Sequence, residues 1–497
     1  MSPLPNALYL AEHSRLLDQI AIQQHGIAGY VLMCRAGTAA YQRLRLIWPQ
    51  AVKLVVICGP GNNGGDGFVI AEQAHRQGLD VRLMVIGDEH RIRGDAGLAY
   101  KDFKKTGLSA QPFDQQALQS SHVIVDALFG TGLDREVSGP AKAVIESINT
   151  SGKPVLAVDL PSGLHADRGV VLGTCIRAAA TISFIARKQG CFTAQGPALC
   201  GAMYFDDLAV PAEVYRDVRP SAWLNAWRQP LYKVNRRPAH GHKGMFGHVL
   251  VIGGNKGMAG AAVMAAMASA RVGAGLVSVA THGEHANILN SHYPQLMIHA
   301  VENAQSLLPL LARATVVALG PGLGRDAWAQ QLFRQVIAHR RVKVVDADGL
   351  HGLSVQNHKR DDWVLTPHPG EAGRLLGCDS HAVESDRFSA CRTITEKFGG
   401  ICLLKGVGSL IYGAQAGMTI NTSGNPGMAT AGMGDCLTGI VAGLLAQGLK
   451  PYDAACFGAG LHGAAADVVA AQDGECGMTA WDLIPVLQRL INGKNTL

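Results

Sequence analysis

Short apolar runs that end in glycine-rich or acidic loops recur along this chain, and they constrain its fold more than any other feature. The first series contains Val52-Lys-Leu-Val-Val-Ile-Cys58, Val81-Arg-Leu-Met-Val-Ile86, Val123-Ile-Val-Asp126, Val155-Leu-Ala-Val158 and Thr181-Ile-Ser-Phe-Ile185. Runs of four to eight apolar residues bounded by turn signals read as strands buried on both faces. Helical stretches separate most of them, and two more, over 10–24 and 27–47, precede them. Alternating strands and helices predict a parallel sheet covered on both sides.

Residues 207–245 break the pattern; they are rich in Pro, Arg, Trp and His and have no sustained period. A linker is expected near 218–230, separating a domain over 1–218 from one over 228–497. The second series then begins with His248-Val-Leu-Val-Ile252, Gly275–Ala280, Thr315–Leu319, Val342–Val345, Trp363–Thr366 and Ile401–Leu404. Ser409-Leu-Ile-Tyr412 is expected as an antiparallel edge, and late helices over 435–447, 452–470 and 480–492. Both halves are α/β.

Composition excludes several classes. Of 497 residues, 48% are hydrophobic and 16% charged, which rules out a disordered chain. The 60 glycines fall in clusters after apolar runs, not in a collagen repeat. A net charge of +6 over this length gives little reason to expect a nucleic-acid partner. The one tight basic cluster, Lys233, Arg236, Arg237, His240, His242 and Lys243, reads as a solvated linker. The 11 cysteines form no Cys-x-x-Cys pair and lie mostly in apolar runs, as in reduced cytoplasmic proteins. No signal peptide is evident, and the apolar stretches near 257–270 and 436–449 are too short to span a membrane. A cytoplasmic homo-oligomer without membrane or nucleic-acid partners is expected.

In the first half, Gly59, Gly61 and Gly64 satisfy Gly-x-Gly-x-x-Gly between a strand and a helix. Asp66, however, puts a carboxylate where a Rossmann pyrophosphate would sit, and like charges there repel. Asn62, Asn63 and Asp66 offer oxygen ligands and polar contacts instead. The run to Asp126 leads into Ala-Leu-Phe-Gly130-Thr-Gly132-Leu-Asp-Arg135, and the run to Asp159 into Leu-Pro-Ser162-Gly163. Ligands of open α/β sheets bind beyond the carboxyl ends of the strands, so Asn63, Asp126, Asp159 and Ser162 should converge.

Gly-Asn-Asn-Gly-Gly-Asp-Gly, Asp-Ala-Leu-Phe-Gly-Thr-Gly and Val-Asp-Leu-Pro-Ser-Gly resemble the NAD(P)H-hydrate epimerase domain over residues 10–217. The resemblance implies a Rossmann-like three-layer sandwich with potassium bound by Asn63, Asp126 and Ser162. It also implies substrate contacts from Asn62, Asn63, Gly64, Gly65 and Asp66. Gly130, Thr131, Gly132, Leu133, Asp134, Arg135 and Glu136 would add further contacts, with Asp159 as substrate contact and general acid–base. Oxygen donors of this kind suit a hard monovalent cation.

The second half holds Gly322 and Gly324 in Leu-Gly-Pro-Gly-Leu-Gly, His368 and Glu371 in Thr-Pro-His-Pro-Gly-Glu, and Lys405-Gly-Val-Gly-Ser409. It also holds Gly432-Met-Gly-Asp435 before an apolar helix. Backbone N–H groups at that helix start would form an anion hole for a phosphoryl group, and Asp435 could take a hydroxyl proton. A plain helix cap is the competing reading of Asp435. No Walker P-loop is present in the sequence. These motifs resemble the NAD(P)H-hydrate dehydratase family over 228–497, which implies a ribokinase-like fold. The resemblance implies that Ala259, Gly322, His368 and Asp435 face the hydrated dinucleotide. Lys405, Gly406, Val407, Gly408, Ser409 and Gly434 would contact the adenine nucleotide, and Glu371 would help place magnesium. Asn255 departs from the expected serine, and Arg374, one turn after Glu371, fits either a ligand or a surface ion pair.

Together the halves resemble bifunctional NAD(P)H-hydrate repair enzymes. The implied activity epimerises the R and S forms of NADHX and NADPHX, the C6-hydrated cofactors. It then dehydrates the S form at the expense of ADP or ATP, ADP being implied by the fused arrangement. A ribokinase-like metabolite kinase with a non-catalytic dinucleotide-binding domain is the alternative; a dehydrogenase and a non-enzymatic scaffold are the others.

Overall fold

The computed structural model describes residues 5–228 and 237–494 and divides into two compact units, residues 1–223 and 224–497. Lys233 and Arg236 of the basic cluster, and 229–230 of the expected linker, lie outside the described residues.

The first unit is built on six parallel strands. In spatial order they are Asp80–Val85, Lys53–Cys58, Val123–Ala127, Val155–Val158, Ala180–Phe184 and Ala202–Asp206. Alternate side chains of the central strands feed two cores. Leu54, Val56, Val125 and Leu156 point to one face, where helices Gly29–Ile47, Asn62–Arg76 and Gly94–Lys104 cover them. Val55, Ile57, Ile124 and Ala157 point to the other, under helix Gly139–Thr150. The result is the expected three-layer sandwich. The parallel sheet begins with Lys53–Cys58; the chain steps to Asp80–Val85 on one side, then returns to Val123–Ala127 on the other. The crevice of such a sheet opens at this reversal, beyond the carboxyl ends of the two adjacent strands. Two glycines permit the close packing there. A Cβ on Gly64 would collide with the Gly59 carbonyl oxygen, and one on Gly59 with that of Leu128.

Among its described residues, the second unit holds nine strands. Seven are parallel, in the order Ile401–Leu404, Trp363–Leu365, Val342–Val345, Val316–Leu319, His248–Ile252, Leu276–Thr281 and Met297–Ala300. Ser409–Gly413 and Gly417–Asn421 continue the sheet antiparallel from Ile401–Leu404. One face is buried by helices Ala259–Arg271, Met433–Ala446, Pro451–Asp473 and Ala480–Ile491. Small residues let two of these helices touch: a Cβ on Gly439 would strike the Ala265 carbonyl, and Ser269 Oγ donates to the Gly439 carbonyl at 2.8 Å. Pro451–Asp473 is long and apolar enough to cross a membrane; 83% of its most apolar stretch is buried within the protein.

Among the described residues, besides the short pair Ala7–Leu8 and Ala222–Leu224, three strands were not expected: Ala202–Asp206, Met297–Ala300 and Gly417–Asn421. The first is a partly exposed edge whose Ala-Met-Tyr-Phe-Asp carries no uniform apolar signal. The last corrects the edge assigned to Ser409–Tyr412, because that strand pairs on both sides.

Candidate functional sites

The crevice of the first unit is a cleft of about 1230 Å³. Its walls include Asn62, Asn63, Asp66, the whole run Gly130–Glu136, and Asp159. Beneath it, Asp126 is fully buried. Its carboxylate accepts hydrogen bonds from the Ser162 hydroxyl at 2.6 Å, the Ser162 amide at 2.8 Å and the Leu128 amide at 3.2 Å. Burial raises the Asp126 carboxyl to about 6, with the Ser162 bonds opposing. Asn63 is 8% exposed, yet neither its Oδ1 nor its Nδ2 has a partner. A buried amide without partners costs free energy unless something fills the gap. Asn63, Asp126 and Ser162 together offer only oxygen donors to a cation, a set that fits a hard ion. Gly64 and Gly65 stand behind the wall, Gly64 against Gly59 and Gly65 against Met33.

Asp159 follows strand Val155–Val158 at φ +70°, a left-handed conformation that Asp tolerates better than most residues. Its carboxylate is ion-paired with Lys188, which is 1% exposed and also donates to Ser183 Oγ at 3.2 Å. Asp18 and Asp66 face the same cleft. Burial, opposed by Lys188, raises Asp18 to about 6; burial with the Asp159 and Asp18 charges pushes Asp66 well above the carboxylate range.

In the second unit, polar residues again gather at strand ends. Asp346 follows Val342–Val345, and Lys405 follows Ile401–Leu404. Lys405 Nζ lies 2.7 Å from Asp346 and 3.6 Å from Glu371. Asp346, 1% exposed, also accepts from Thr438 at 2.8 Å. Gly432, at φ +89°, caps helix Met433–Ala446, and Gly434 sits where a Cβ would stand 3.2 Å from Lys405 Nζ. Asp435 is therefore beside this cluster. Burial raises its carboxyl to about 7; Asp346, Glu371 and Asp348 add to the rise and Lys405 opposes it. Burial works against the Lys405 ammonium, but Asp346 and Glu371 outweigh it and hold the group above its usual range. His368 caps helix Pro369–Leu376. Its amide donates to Glu371 Oε2 at 2.8 Å, and its Nδ1 accepts from Gly370 at 3.0 Å.

Comparison with known proteins separates the two units in the same way. A family model described as YjeF-related protein N-terminus matches residues 29–190, and one described as NAD(P)H-hydrate dehydratase matches 249–489. The chain is 46% identical to the bifunctional NAD(P)H-hydrate repair enzyme Nnr of Coxiella burnetii, over 98% of this chain and 99% of that one. It is 40% identical to Nnr of Escherichia coli, over 99% and 95%. The chain belongs to the bifunctional NAD(P)H-hydrate repair enzyme family. Among solved structures, the ADP/ATP-dependent NAD(P)H-hydrate dehydratase of Bacillus subtilis, co-crystallised with ATP and Mg2+, is 25% identical. It covers 53% of this chain and 95% of its own, at a TM-score of 0.47. The two-domain α/β class, Rossmann-like then ribokinase-like, agrees with membership of this repair family.

Within that family's framework, Asn255 supports the turn before Ala259. Its amide nitrogen donates to the Leu323 carbonyl and to Asp326, each at 3.1 Å, and its backbone N–H donates to the Gly322 carbonyl at 2.7 Å. Gly322 is thereby set against Met258 and Ala261, which flank Ala259 and Gly260. Of the Lys405–Ser409 loop, the Lys405 side chain points to Asp346 and Asp435, while Gly406 packs on buried Arg387. Arg374 has no ion pair among the described residues. Sequence reasoning missed Asp18, Lys188, Asp346 and Thr438. Asp346 alone left a usable signal, an acidic residue directly after an apolar strand run.

Proposed function

We propose that each unit performs one step in repairing NADHX and NADPHX. The first unit interconverts the R and S epimers at C6, and the second dehydrates the S epimer with ADP as phosphoryl donor. The observation that carries the second assignment is the position of Asp435. It lies in the first turn of an apolar helix whose N-cap is a glycine, beside Lys405, Asp346 and Glu371.

Hydroxide is a poor leaving group from C6, and phosphate is a good one. Asp435 takes the C6 hydroxyl proton as the oxygen attacks the terminal phosphorus of ADP, and AMP departs. The N–H groups at Met433 and Gly434 face the charge on the transferred group. Lys405 contacts the nucleotide at its phosphate end, with Gly406, Val407, Gly408, Ser409 and Gly434 around it. Ala259, Gly322 and His368 hold the hydrated dinucleotide. The ring nitrogen then expels phosphate and a C5 proton is lost, which restores the C5–C6 double bond. Glu371 and Asp346 are the hard-oxygen side chains suited to Mg2+, which when bound neutralises phosphate charge.

In the first unit, Asp159 is the acid–base group. Asn62, Asn63, Asp66 and Gly130–Glu136 hold the substrate, with Gly64 and Gly65 shaping the turn. Asn63, Asp126 and Ser162 would hold K+, which when bound supplies a fixed positive charge near the substrate phosphates. Unpartnered Asn63 supports this reading. All eleven cysteines are free thiols, in keeping with the reducing setting of the cytoplasm; a homo-oligomer is part of the proposal. The test is incubation of S-NADHX with ADP. Reduced-nicotinamide absorbance should return in step with AMP and phosphate; a stable phosphorylated dinucleotide as end product would overturn the scheme.

A further inference from the structure

The first unit's cleft collects more acid than one acid–base residue requires. Six carboxyls line it, and three of them group around Lys188 from three elements: Asp18 from helix Ala11–Gln23, Asp66 from helix Asn62–Arg76, and Asp159 from a strand end. One buried ammonium, Lys188, answers them. The placement of Asp18 follows from its helix. Ser14, Asp18 and Ile22 recur every four residues, on one stripe, and all three line the cleft together with Arg15. That helix is tied to the body by its Ala11 amide, which donates to Asp167 at 2.7 Å, and by Arg15, which donates to the Thr131 carbonyl at 3.3 Å. The family match begins at residue 29, after Asp18.

Three ionised carboxylates against one ammonium would leave two uncompensated negative charges in a partly enclosed cleft. Like charges sharing a site relieve this by keeping a proton on one of them. Asp159 holds the direct ion pair with Lys188. The proton therefore resides on Asp66 and Asp18. The remaining charged residues on the wall, Arg15, Arg91, Asp95, Asp134, Arg135 and Glu136, include both signs. The thiols of Cys34 and Cys58, which also feel Asp66, are pushed up by burial and stay neutral.

We infer that Asp66 and Asp18 together carry the proton that epimerisation uses as its acid, opposite Asp159, the base, which is ion-paired with Lys188. This rests on the epimerase assignment made above. The C6 carbon bears both a hydroxyl and the ring nitrogen N1. Asp159 takes the hydroxyl proton while the C6–N1 bond breaks; its electron pair goes to N1, which takes the proton from the Asp66–Asp18 pair, and C6 becomes an aldehyde. Rotation about C5–C6 presents the other face. N1 re-attacks, its proton returns to the pair, and the oxygen recovers its proton from Asp159. No co-reactant is consumed.

The test uses the full chain and purified R-NADHX, with epimer composition followed by chromatography from pH 5 to pH 9 and melting as a fold control. Wild type should interconvert the epimers, with kcat/KM falling on the alkaline side as the shared proton is lost. Asp66→Asn should slow epimerisation at least ~10²-fold, the loss expected when a general acid is removed. Asp18→Asn should move the alkaline limb to lower pH, because one negative charge that retains the proton is gone. Folded variants with wild-type rates and an unchanged limb would overturn the proposal, as would an Asp18→Asn rate loss without movement of the limb. Wild type that fails to interconvert the epimers would refute the epimerase assignment instead.

Discussion

Replacing Asp435 with asparagine separates the chemistry of this carboxyl from its effect on stability. Its carboxyl is raised from 3.8 to about 7, chiefly by burial and then by the Asp346 charge. A folded value above the unfolded one means that stability is lost as pH rises from the unfolded value to the folded one. Three units at ~1.36 kcal/mol each set the full loss at about 4 kcal/mol above pH 7. About a third of that has already been lost at pH 5, so the stability gap between variant and wild type should widen by about 2–3 kcal/mol from pH 5 to pH 8. For a unit of this size that corresponds to roughly 5–10 °C of melting temperature. Calorimetry at the two pH values reads the widening directly and cancels effects of asparagine that do not depend on pH. Dehydration of S-NADHX should meanwhile fall at least ~10²-fold. In wild type, kcat/KM should rise with pH through about 7 as the base ionises. A constant stability gap, together with near wild-type turnover, would return Asp435 to a simple helix cap.

Asp126→Ala should weaken epimerisation and any dependence on potassium together; epimerisation rates at varied KCl check this, and loss of one without the other would detach Asp126 from the ion. Gly64→Ala forces a Cβ onto the Gly59 carbonyl oxygen, which is backbone and cannot yield. It should destabilise the first unit by about 2–3 kcal/mol in chemical denaturation. Lys405→Met removes the cation that Asp346 and Glu371 share; the KM for ADP should rise at least ~10-fold, the scale of a lost charge-assisted contact.

The architecture was legible because central strands of a parallel sheet are buried on both faces and so read as unbroken apolar runs. Each run also pointed at its own loop, so Asn63, Asp126, Asp159 and Ser162 could be placed at one end of one sheet. Edge strands such as Ala202–Asp206 carry no such signal, since one side meets solvent. Lys188 was illegible for another reason. Ala-Arg-Lys-Gln after a strand looks like surface charge, and only the folded chain shows its ammonium buried against Asp159. Asp18 lies on a helix whose stripe of Ser14, Asp18 and Ile22 faces the cleft, a direction that periodicity alone does not give. Asp346 follows an apolar run as many ordinary helix N-caps do, and only the folded chain shows Lys405 and Thr438 meeting it.

The central claim, one reaction to each unit, is tested most directly with Asp159→Ala and separately purified epimers in the presence of ADP. The variant should recover NADH from the S epimer at the wild-type rate, and consume the R epimer only as fast as it epimerises spontaneously. If a correctly folded Asp159→Ala stops turnover of both epimers, the two reactions have a composite site and the assignment of one to each unit is wrong.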